Sequence, residues 1–418
     1  MPENLKYSAK GRRLTHSAIA ALMREAITRP EIVSFAAGLT DYETLPCAAI
    51  SDICSEIVHD PRRGQVALQY GTTAGLAELR KAVLDRFLSI ESVRTEKLKI
   101  GPDNVVIAGG SQQLLYLLAE IFLDPGDLVL VEEPAYFVLL ELLDAVGAQA
   151  ISVPLDADGM ALEGLKKTLD ELEKSGRSAR LKMAYLNSYF QNPTGISYSM
   201  ARKAGILQTL MRRTKALIVE DGAYRELRYE GADMPSLKSF DDQNARVAYI
   251  GTFSKSFAPG LKTGYGIFPD EVAAKVIALK GALDFGSANF LQHVLFSAHK
   301  LGYIDSHVSE LRKTYRARRN EMLVALEAQM NGLARWRTPQ GGFYFWLELA
   351  DAVDTGPKGP LFSVASEEGV LYVPGIYCFA DKERAPTNTL RLSFASVPFE
   401  KIALGVSRLA QSVKRVRR

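Results

Sequence analysis

The chain has 418 residues, of which 47% are hydrophobic and 24% are charged, and its formal net charge at pH 7 is +3. This composition is typical of a globular protein with one large or two smaller domains, and it excludes a disordered or fibrous chain. The charge is too small to indicate nucleic-acid binding, three cysteines cannot build a disulfide framework, and no apolar run reaches the length of a membrane span. No Cys/His cluster indicates a metal. We therefore expect a cytoplasmic protein that binds neither nucleic acid nor membranes.

The predicted elements begin with a segment of little strand character. A short helix is predicted over residues 16–27, and an apolar run follows at 32–39. From about residue 104, apolar runs alternate with stretches of helical length and composition. Because these runs do not alternate between apolar and polar residues, they predict a parallel sheet that helices cover on both faces. The runs occupy residues 104–110, 128–136, 181–195, 215–224 and 246–255.

Beyond about residue 280 the pattern changes and predicts a smaller α+β domain. Its elements are a long helix at 308–330, an aromatic-rich strand at 338–349, apolar strands at 369–375 and 389–395, and a closing helix at 400–418. We therefore expect an α/β protein in three parts. They are an N-terminal arm with part of the small domain (1–45), a large ligand-binding domain (46–285) and a small C-terminal domain (286–418).

Polar side chains follow the apolar runs at their carboxyl ends. In a parallel sheet these ends lie at one edge, and ligands bind there. We therefore expect one ligand site at this edge. The polar residues are Ser111, Gln112, Tyr136, Asn192, Asp221, Tyr224 and the stretch from Thr252 to Lys255.

The motif "GGSQQ" at 109–113 places two glycines and Ser111 between a strand and a helix start. Backbone amides and the helix dipole at such a start favour an anion, so a phosphate fits on Ser111 and Gln112. Ser111 as an ordinary helix cap fits the motif equally well. The spacing matches neither the dinucleotide-binding nor the P-loop pattern.

The motif "VEDGAY" places Asp221 at the end of an apolar strand, where an unpaired carboxylate is costly. Asp221 either caps the following turn or faces a cation in the cleft, such as a protonated pyridine nitrogen. Tyr224 can reach a phenolic oxygen from the same side. Asn192, in "QNPTG", is by itself typical of a plain turn.

Taken together, these strand ends describe one ligand. They offer a phosphate cup, an aromatic ring face, a carboxylate for a ring nitrogen, donors for a phenolic oxygen and a lysine for an aldehyde. Pyridoxal phosphate, whose ring is an electron sink, carries all of the matching groups.

The chain resembles the fold-type-I pyridoxal-phosphate aminotransferases of the class I/II family, and within it the branch with 2-aminoadipate, kynurenine and aromatic aminotransferases. The resemblance runs from about residue 30 almost to the C-terminus. It implies a three-layer large domain with a mainly parallel sheet and a smaller α+β domain. The matching stretches are "LQYGTTAGLAELR", "GGSQQ", "VEEPAY", "QNPTG", "VEDGAY", "GTFSKSFAPGLKTGYG", "PQGGFYFW" and "LRLSFA".

For the reacting groups, the resemblance implies that Lys255 bonds to the cofactor and moves the proton of the substrate α-carbon. Asp221 keeps the ring nitrogen protonated, and Tyr136 stacks on the ring. Asn192 and Tyr224 bind the phenolic oxygen.

For the remaining contacts, the resemblance implies a phosphate site, a substrate site and a homodimer. Tyr70 would reach the phosphate from the partner subunit, and Lys262 stands where the family usually has a phosphate-binding arginine. Arg391 would grip the substrate α-carboxylate in a two-pronged bond, and the backbone at Gly38 would line the substrate together with Asn192. The implied phosphate ligands would be Ser111, Gln112, Thr252 and Ser254.

The implied reaction is a ping-pong transfer of an amino group from an L-amino acid to a 2-oxo acid such as 2-oxoglutarate. A lyase, decarboxylase or oxidase reaction on the same scaffold is the alternative. A ligand-sensing regulatory module is a minor one, because the fold also occurs fused to a DNA-binding head. We do not expect such a module, since only about 30 residues precede the run at 32–39, too few for a DNA-binding head.

Some assignments stay open. Two lysines lie in one motif, and we favour Lys255 over Lys262 because it directly follows a strand end. The amino donor is undetermined, and a second cation for a side-chain carboxylate would come from Arg12, Arg13 or Arg24. The aromatic residues at 343–346 are expected in the core, and His293 and His299 are expected to be structural.

Overall fold

The structure of the chain, a computed structural model, describes residues 6–14, 22, 24–25, 28–29, 31–92 and 95–417. The short helix predicted over residues 16–27 falls mostly outside these ranges. The strands are β1 (Val33–Ser34), β2 (Val105–Ala108), β3 (Leu128–Glu133), β4 (Gln149–Asp156), β5 (Gly159–Met160), β6 (Leu181–Leu186), β7 (Leu217–Asp221), β8 (Val247–Thr252), β9 (Gly264–Ile267), β10 (Ala334–Trp336), β11 (Tyr344–Leu349), β12 (Val370–Leu371), β13 (Val373–Pro374) and β14 (Thr389–Ser393).

The α-helices of the described residues connect these strands and cover the sheets. They are α1 (Ala9–Arg13), α2 (Cys47–His59), α3 (Pro61–Leu68), α4 (Ala77–Glu91), α5 (Thr95–Leu98), α6 (Ser111–Phe122), α7 (Phe137–Val146), α8 (Leu162–Lys174), α9 (Met200–Arg213), α10 (Phe253–Ser256), α11 (Asp270–Asp284), α12 (Asn289–Lys300), α13 (Tyr303–Gln329), α14 (Pro360–Glu367) and α15 (Phe399–Val416). None of the described helices is both long and apolar enough to cross a membrane.

The large sheet of the described residues has eight strands in the order β2-β9-β8-β7-β6-β3-β4-β5. Strands β8, β7, β6, β3 and β4 are parallel neighbours, whereas β9 runs antiparallel to both β2 and β8. The five predicted runs form β2, β3, β6, β7 and β8. The α/β fold with a mainly parallel sheet is thereby confirmed.

Strand β9 was not predicted, and its sequence explains why. Two of its four residues, Gly264 and Gly266, are glycines, which weaken the strand signal. Because β9 is antiparallel to both β2 and β8, the latter two run in the same direction. The carboxyl ends of β2, β3, β6, β7 and β8 therefore lie at one edge of the sheet, where β9 begins.

A second sheet of the described residues has four strands in the order β10-β11-β14-β13, all antiparallel. Strand β1 pairs in parallel with β12, so Val33 lies beside Val370. This pairing ties the N-terminal segment to the C-terminal part of the chain. Helix α12, which follows residue 286, packs against α2, α3 and α4 as well as α13.

Candidate active site

A cavity of about 200 Å³ lies at the carboxyl edge of the large sheet. Its walls come from the segments that follow β2, β3, β6, β7 and β8, as parallel strands require. The lining residues are Gly110, Ser111, Gln112, Tyr136, Tyr185, Asn187, Asn192, Asp221, Ala223, Tyr224, Thr252, Ser254, Lys255 and Lys262.

The start of helix α6 forms one wall of the cavity. Gly110 precedes the helix with φ 95°, a conformation that favours glycine, and it has no side chain to cap the first amides. Strand β9 passes directly beneath, since a Cβ on Gly264 would lie 2.5 Å from the Ser111 backbone nitrogen. The backbone amides at this helix start therefore remain available to an anion in the cavity.

Asp221 is the last residue of β7, and it is buried. Its carboxylate accepts hydrogen bonds from the Tyr185 hydroxyl at 2.8 Å and from the Ala223 amide at 2.9 Å. Burial raises the pKa of Asp221, and these two hydrogen bonds act in the opposite direction. No salt bridge among the described residues involves Asp221, so a cation in the cavity would be its first counter-charge.

Arg391 lies on β14 and is almost completely buried. Its guanidinium donates to the Asn192 side-chain oxygen at 2.9 Å and to the Ala36 carbonyl at 2.8 Å, and it lies 4.2 Å from the centre of the Tyr344 ring. The Arg391 Nε has no hydrogen-bond partner among the described residues. A buried guanidinium with a free N–H and no carboxylate partner is suited to an incoming carboxylate.

Lys255 lies in the single turn of α10, just after β8 ends. Its Nζ donates to the Gly38 carbonyl at 2.8 Å. Burial, followed by the positive charges of Arg391 and Lys262, lowers the pKa of Lys255 to about 8. A lysine of that pKa is partly neutral near pH 7, and the neutral amine is the form that attacks a carbonyl or accepts a proton.

Lys262 and Tyr70 occupy different positions relative to the cavity. Lys262 lines it from a left-handed turn with φ 45°. Tyr70 is 82% exposed and is not among the lining residues; its ring contacts Phe285 edge-on at 5.7 Å. The structure thus brings Lys262 to the site and leaves Tyr70 on the surface of this chain.

Thr252 and Ser254 also line the cavity. The Thr252 hydroxyl accepts a hydrogen bond from the Ser254 amide at 3.1 Å, which fixes the start of α10. Gln112 and Tyr136 line the cavity from α6 and from the residue before α7. Burial raises the pKa of Tyr136, so its hydroxyl stays protonated.

Three residues of this region were missed by the sequence analysis. The Tyr185 hydroxyl donates to Asp221, and the Asn187 side-chain oxygen accepts from the Asn192 amide at 2.7 Å. Both residues lie at the end of β6, where their apolar neighbours in sequence give no sign of a site. Tyr344 was assigned to the core with its aromatic neighbours. It is buried, but its hydroxyl lies 2.7 Å from the Tyr224 hydroxyl at the cavity.

Comparison with known proteins identifies the family. A family model described as "Aminotransferase class I and II" matches residues 30–409. The chain belongs to this aminotransferase family. This aminotransferase is 34% identical over 408 residues to the aromatic-amino-acid aminotransferase 1 of Thermococcus litoralis, a match that covers 98% of this chain and 94% of that protein. The resemblance noted in the sequence is confirmed.

Solved structures of similar sequence have the same fold. The kynurenine aminotransferase of Pyrococcus horikoshii, solved with PMP, is 35% identical with a TM-score of 0.89, over 98% of this chain and 97% of that one. The α-aminoadipate aminotransferase of Thermus thermophilus, solved with N-(5'-phosphopyridoxyl)-L-leucine, is 32% identical with a TM-score of 0.86, over 98% of each chain. The protein is thus an amino-acid aminotransferase, and its cofactor is pyridoxal 5'-phosphate.

The residues present at the cavity fit this cofactor. Uncapped amides before Gln113 suit a phosphate, and the buried carboxylate of Asp221, whose pKa is raised, suits a protonated ring nitrogen. Lys255, whose pKa is lowered, suits an aldehyde. When bound, the cofactor supplies an electron-withdrawing ring that stabilises negative charge on the substrate α-carbon.

Proposed function

We propose that this aminotransferase moves the amino group of an aromatic or other apolar L-amino acid to 2-oxoglutarate in two ping-pong half-reactions. The observation that carries the proposal is Arg391, a buried guanidinium that donates to the cavity-lining Asn192 and whose Nε has no hydrogen-bond partner among the described residues. It suits the carboxylate that amino and 2-oxo acids share. The rings of Tyr344 and Phe137 lie within 5.3 Å of the guanidinium and favour an apolar side chain nearby.

In this proposal each side chain of the site has one task. Lys255 holds the cofactor and moves the α-carbon proton, while Asp221 stabilises the protonated ring nitrogen. Asn192 and Tyr224 bind the phenolic oxygen, and Tyr136 packs on the ring. The phosphate is bound by Ser111, Gln112, Thr252, Ser254 and Lys262, and the substrate carboxylate by Arg391, with the Gly38 backbone and Asn192 lining the substrate.

Borohydride reduction tests which lysine holds the cofactor. Reduction of the loaded enzyme should fix the cofactor on the peptide that contains Lys255, as detected by mass spectrometry. The variant Lys255→Ala should lose the label, and the matched variant Lys262→Ala should keep it. A label on Lys262 in the wild-type enzyme would refute the assignment.

Product analysis tests the reaction type. Each equivalent of amino donor should yield one equivalent of 2-oxo acid and one of the new amino acid. Release of carbon dioxide or ammonia in equivalent amounts would instead support a decarboxylase, lyase or oxidase. Double-reciprocal plots of initial rate against donor concentration, measured at several fixed acceptor concentrations, should give parallel lines, as the ping-pong order requires.

The second carboxylate of 2-oxoglutarate calls for a further cation, and we propose Arg24. Arg12 and Arg13 donate to the backbone carbonyls of Tyr7 and Ala145. The Arg24 side chain is exposed and makes no hydrogen bond or salt bridge among the described residues. The variant Arg24→Gln should lower kcat/KM for 2-oxoglutarate and leave kcat/KM for pyruvate unchanged. Arg12→Gln is the matched control, and equal losses for both acceptors would count against the role.

We propose that the active unit is a homodimer in which Tyr70 serves the partner's phosphate site. Tyr70, Phe285 and Leu283 are exposed apolar side chains, and Val66 and Leu68 expose more apolar surface just before Tyr70. Such a surface is typical of an interface between subunits. Leu68→Glu should shift the mass in solution from dimer to monomer.

We also propose that the enzyme is located in the cytoplasm.

A further inference from the structure

Tyr344 has no assigned task, although it lies between the cofactor side and the substrate side of the site. It is the first residue of β11, directly opposite Ser393 of β14, and it is 2% exposed. Its hydroxyl is 2.7 Å from the Tyr224 hydroxyl. Its ring meets the Tyr224 ring edge-on, with centroids 5.6 Å apart.

The Tyr344 ring has little room to leave this position. The Arg391 guanidinium lies 4.2 Å from the ring centre, a cation–π arrangement. On the hydroxyl side, the Gly38 backbone lies so close that a Cβ added to Gly38 would be only 2.7 Å from the hydroxyl oxygen of Tyr344. The hydroxyl of Tyr344 is therefore held against Tyr224 from two sides.

The count of protons sets the direction of the hydrogen bond between the two hydroxyls. Each tyrosine hydroxyl has one proton to donate. Among the described residues, the Tyr344 hydroxyl has Tyr224 as its hydrogen-bond partner, and Tyr344 is not among the residues that line the cavity. Tyr224 does line the cavity, and under its proposed role the phenolic oxygen of the bound cofactor would be its acceptor.

We propose that Tyr344 is a positioning residue that donates its proton to Tyr224 and thereby directs the Tyr224 proton at the phenolic oxygen of the cofactor. This inference rests on the proposed role of Tyr224. Hydrogen bonds in a chain polarise one another, so Tyr224 becomes a stronger donor than it would be alone. A stronger donor stabilises the anionic form of the phenolic oxygen.

The test is a pH titration of the visible absorbance of the bound cofactor. Removing a donor from the anion favours protonation, so Tyr344→Phe should move the transition to higher pH, by roughly 0.3 to 1 unit. Tyr372→Phe is the matched control, because it removes a buried hydroxyl that donates to the Thr355 carbonyl at 3.0 Å, away from the cavity. The control should leave the transition in place.

The variant Tyr224→Phe separates the inference from the proposed function. It should shift the transition further than Tyr344→Phe, and the double variant should match Tyr224→Phe, because Tyr344 acts through Tyr224. A shift with Tyr224→Phe but none with Tyr344→Phe overturns the inference and leaves the role of Tyr224 intact. No shift with either variant overturns both.

Two further readouts distinguish positioning from a general structural role. Tyr344→Phe keeps the ring beside Arg391, so KM for the amino donor should change less than twofold. Its midpoint of urea unfolding should match that of Tyr372→Phe within error. An additional shift of the double variant beyond that of Tyr224→Phe would show that Tyr344 acts on the cofactor by another route, and the inference would fall.

Discussion

Two cations of the site, Lys255 and Arg391, both donate to backbone oxygens of one short segment. The Gly38 carbonyl accepts from Lys255, and the Ala36 carbonyl accepts from Arg391. Carbonyl dipoles fix the two side chains without neutralising them, as a carboxylate would. Arg391 therefore stays available to an anionic substrate, and its charge contributes to the lowered pKa of Lys255.

Replacing Arg391 by lysine should weaken substrate binding. Lysine keeps the charge and loses the planar fork and the free Nε. We therefore expect kcat/KM to fall about 10-fold to 150-fold, for a lost charged hydrogen bond of about 1.5–3 kcal/mol. Steady-state kinetics with the amino donor and the 2-oxo acid should show the loss for both. Arg335→Lys, at a side chain that is 78% exposed, is the control. Unchanged kinetics of Arg391→Lys would contradict the assignment.

Replacing Lys262 by glutamine should raise the pKa of Lys255 above its present value of about 8, because one of the positive charges that lower it is removed. The neutral amine then forms at higher pH, and cofactor attachment to the apoprotein slows at neutral pH. The measurement is the pH midpoint of the attachment rate, which should move to higher pH. Lys275→Gln, on the exposed face of α11, should leave the midpoint unchanged.

The sequence predicted that side chains at the strand ends lie together, and Lys255, Asp221 and Asn192 do line one cavity, while their roles stay predictions. It could not assign Tyr185 or Tyr344, because their neighbours along the chain are apolar and their roles come from contacts. Tyr344 meets Tyr224 across 120 positions of sequence. No local pattern encodes such a pairing.

At the level of elements, the phosphate side of the site depends on how closely β9 approaches the start of α6. Gly264 lies against the Gly110–Ser111 backbone, with space for a hydrogen and none for a methyl group. The apolar patterns of the sequence predict β2 and α6 but not β9, which packs against both. The glycine that weakens the strand signal is the residue that this packing requires.

Gly264→Ala should therefore disturb both stability and cofactor binding. A Cβ placed 2.5 Å from the Ser111 nitrogen forces the backbone apart, and we expect a loss of about 1–3 kcal/mol in the free energy of unfolding. Urea unfolding measures the loss, and equilibrium dialysis should show weaker cofactor binding. Gly260→Ala, where a Cβ would meet nothing within 4 Å, is the matched control. Equal stability of the two variants would contradict this account.

At the level of the whole molecule, the N-terminal segment pairs with the C-terminal part of the chain through β1 and β12. We propose the boundaries at residues 45 and 285 as the limits of the large domain. The pairing of β1 with β12 supports the assignment of the N-terminal arm to the small domain. Helix α12 packs on helices of the large domain and also on α13, so it contacts both domains. The fold class followed from the apolar runs, but pairing between distant segments such as β1 and β12 leaves no local signal.

Subunit mixing tests the proposed dimer. Coexpression of Lys255→Ala with Tyr70→Ala chains should restore activity, because a mixed dimer has one site with Lys255 and an intact partner Tyr70. Random pairing gives about a quarter of the wild-type sites. Each variant alone should show far less. If Tyr70 served its own subunit, the mixed dimers would contain no complete site, and coexpression would restore nothing.

The distance along the chain between Ala36 and Arg391 sets an order of assembly during synthesis. The lining of the cofactor cavity is complete in sequence by Lys262, whereas the Ala36 carbonyl must wait for a residue 355 positions later. At about 5–20 residues per second, that wait is on the order of 20–70 s on the ribosome. The pocket for the substrate carboxylate therefore forms after the part that holds the cofactor has been made.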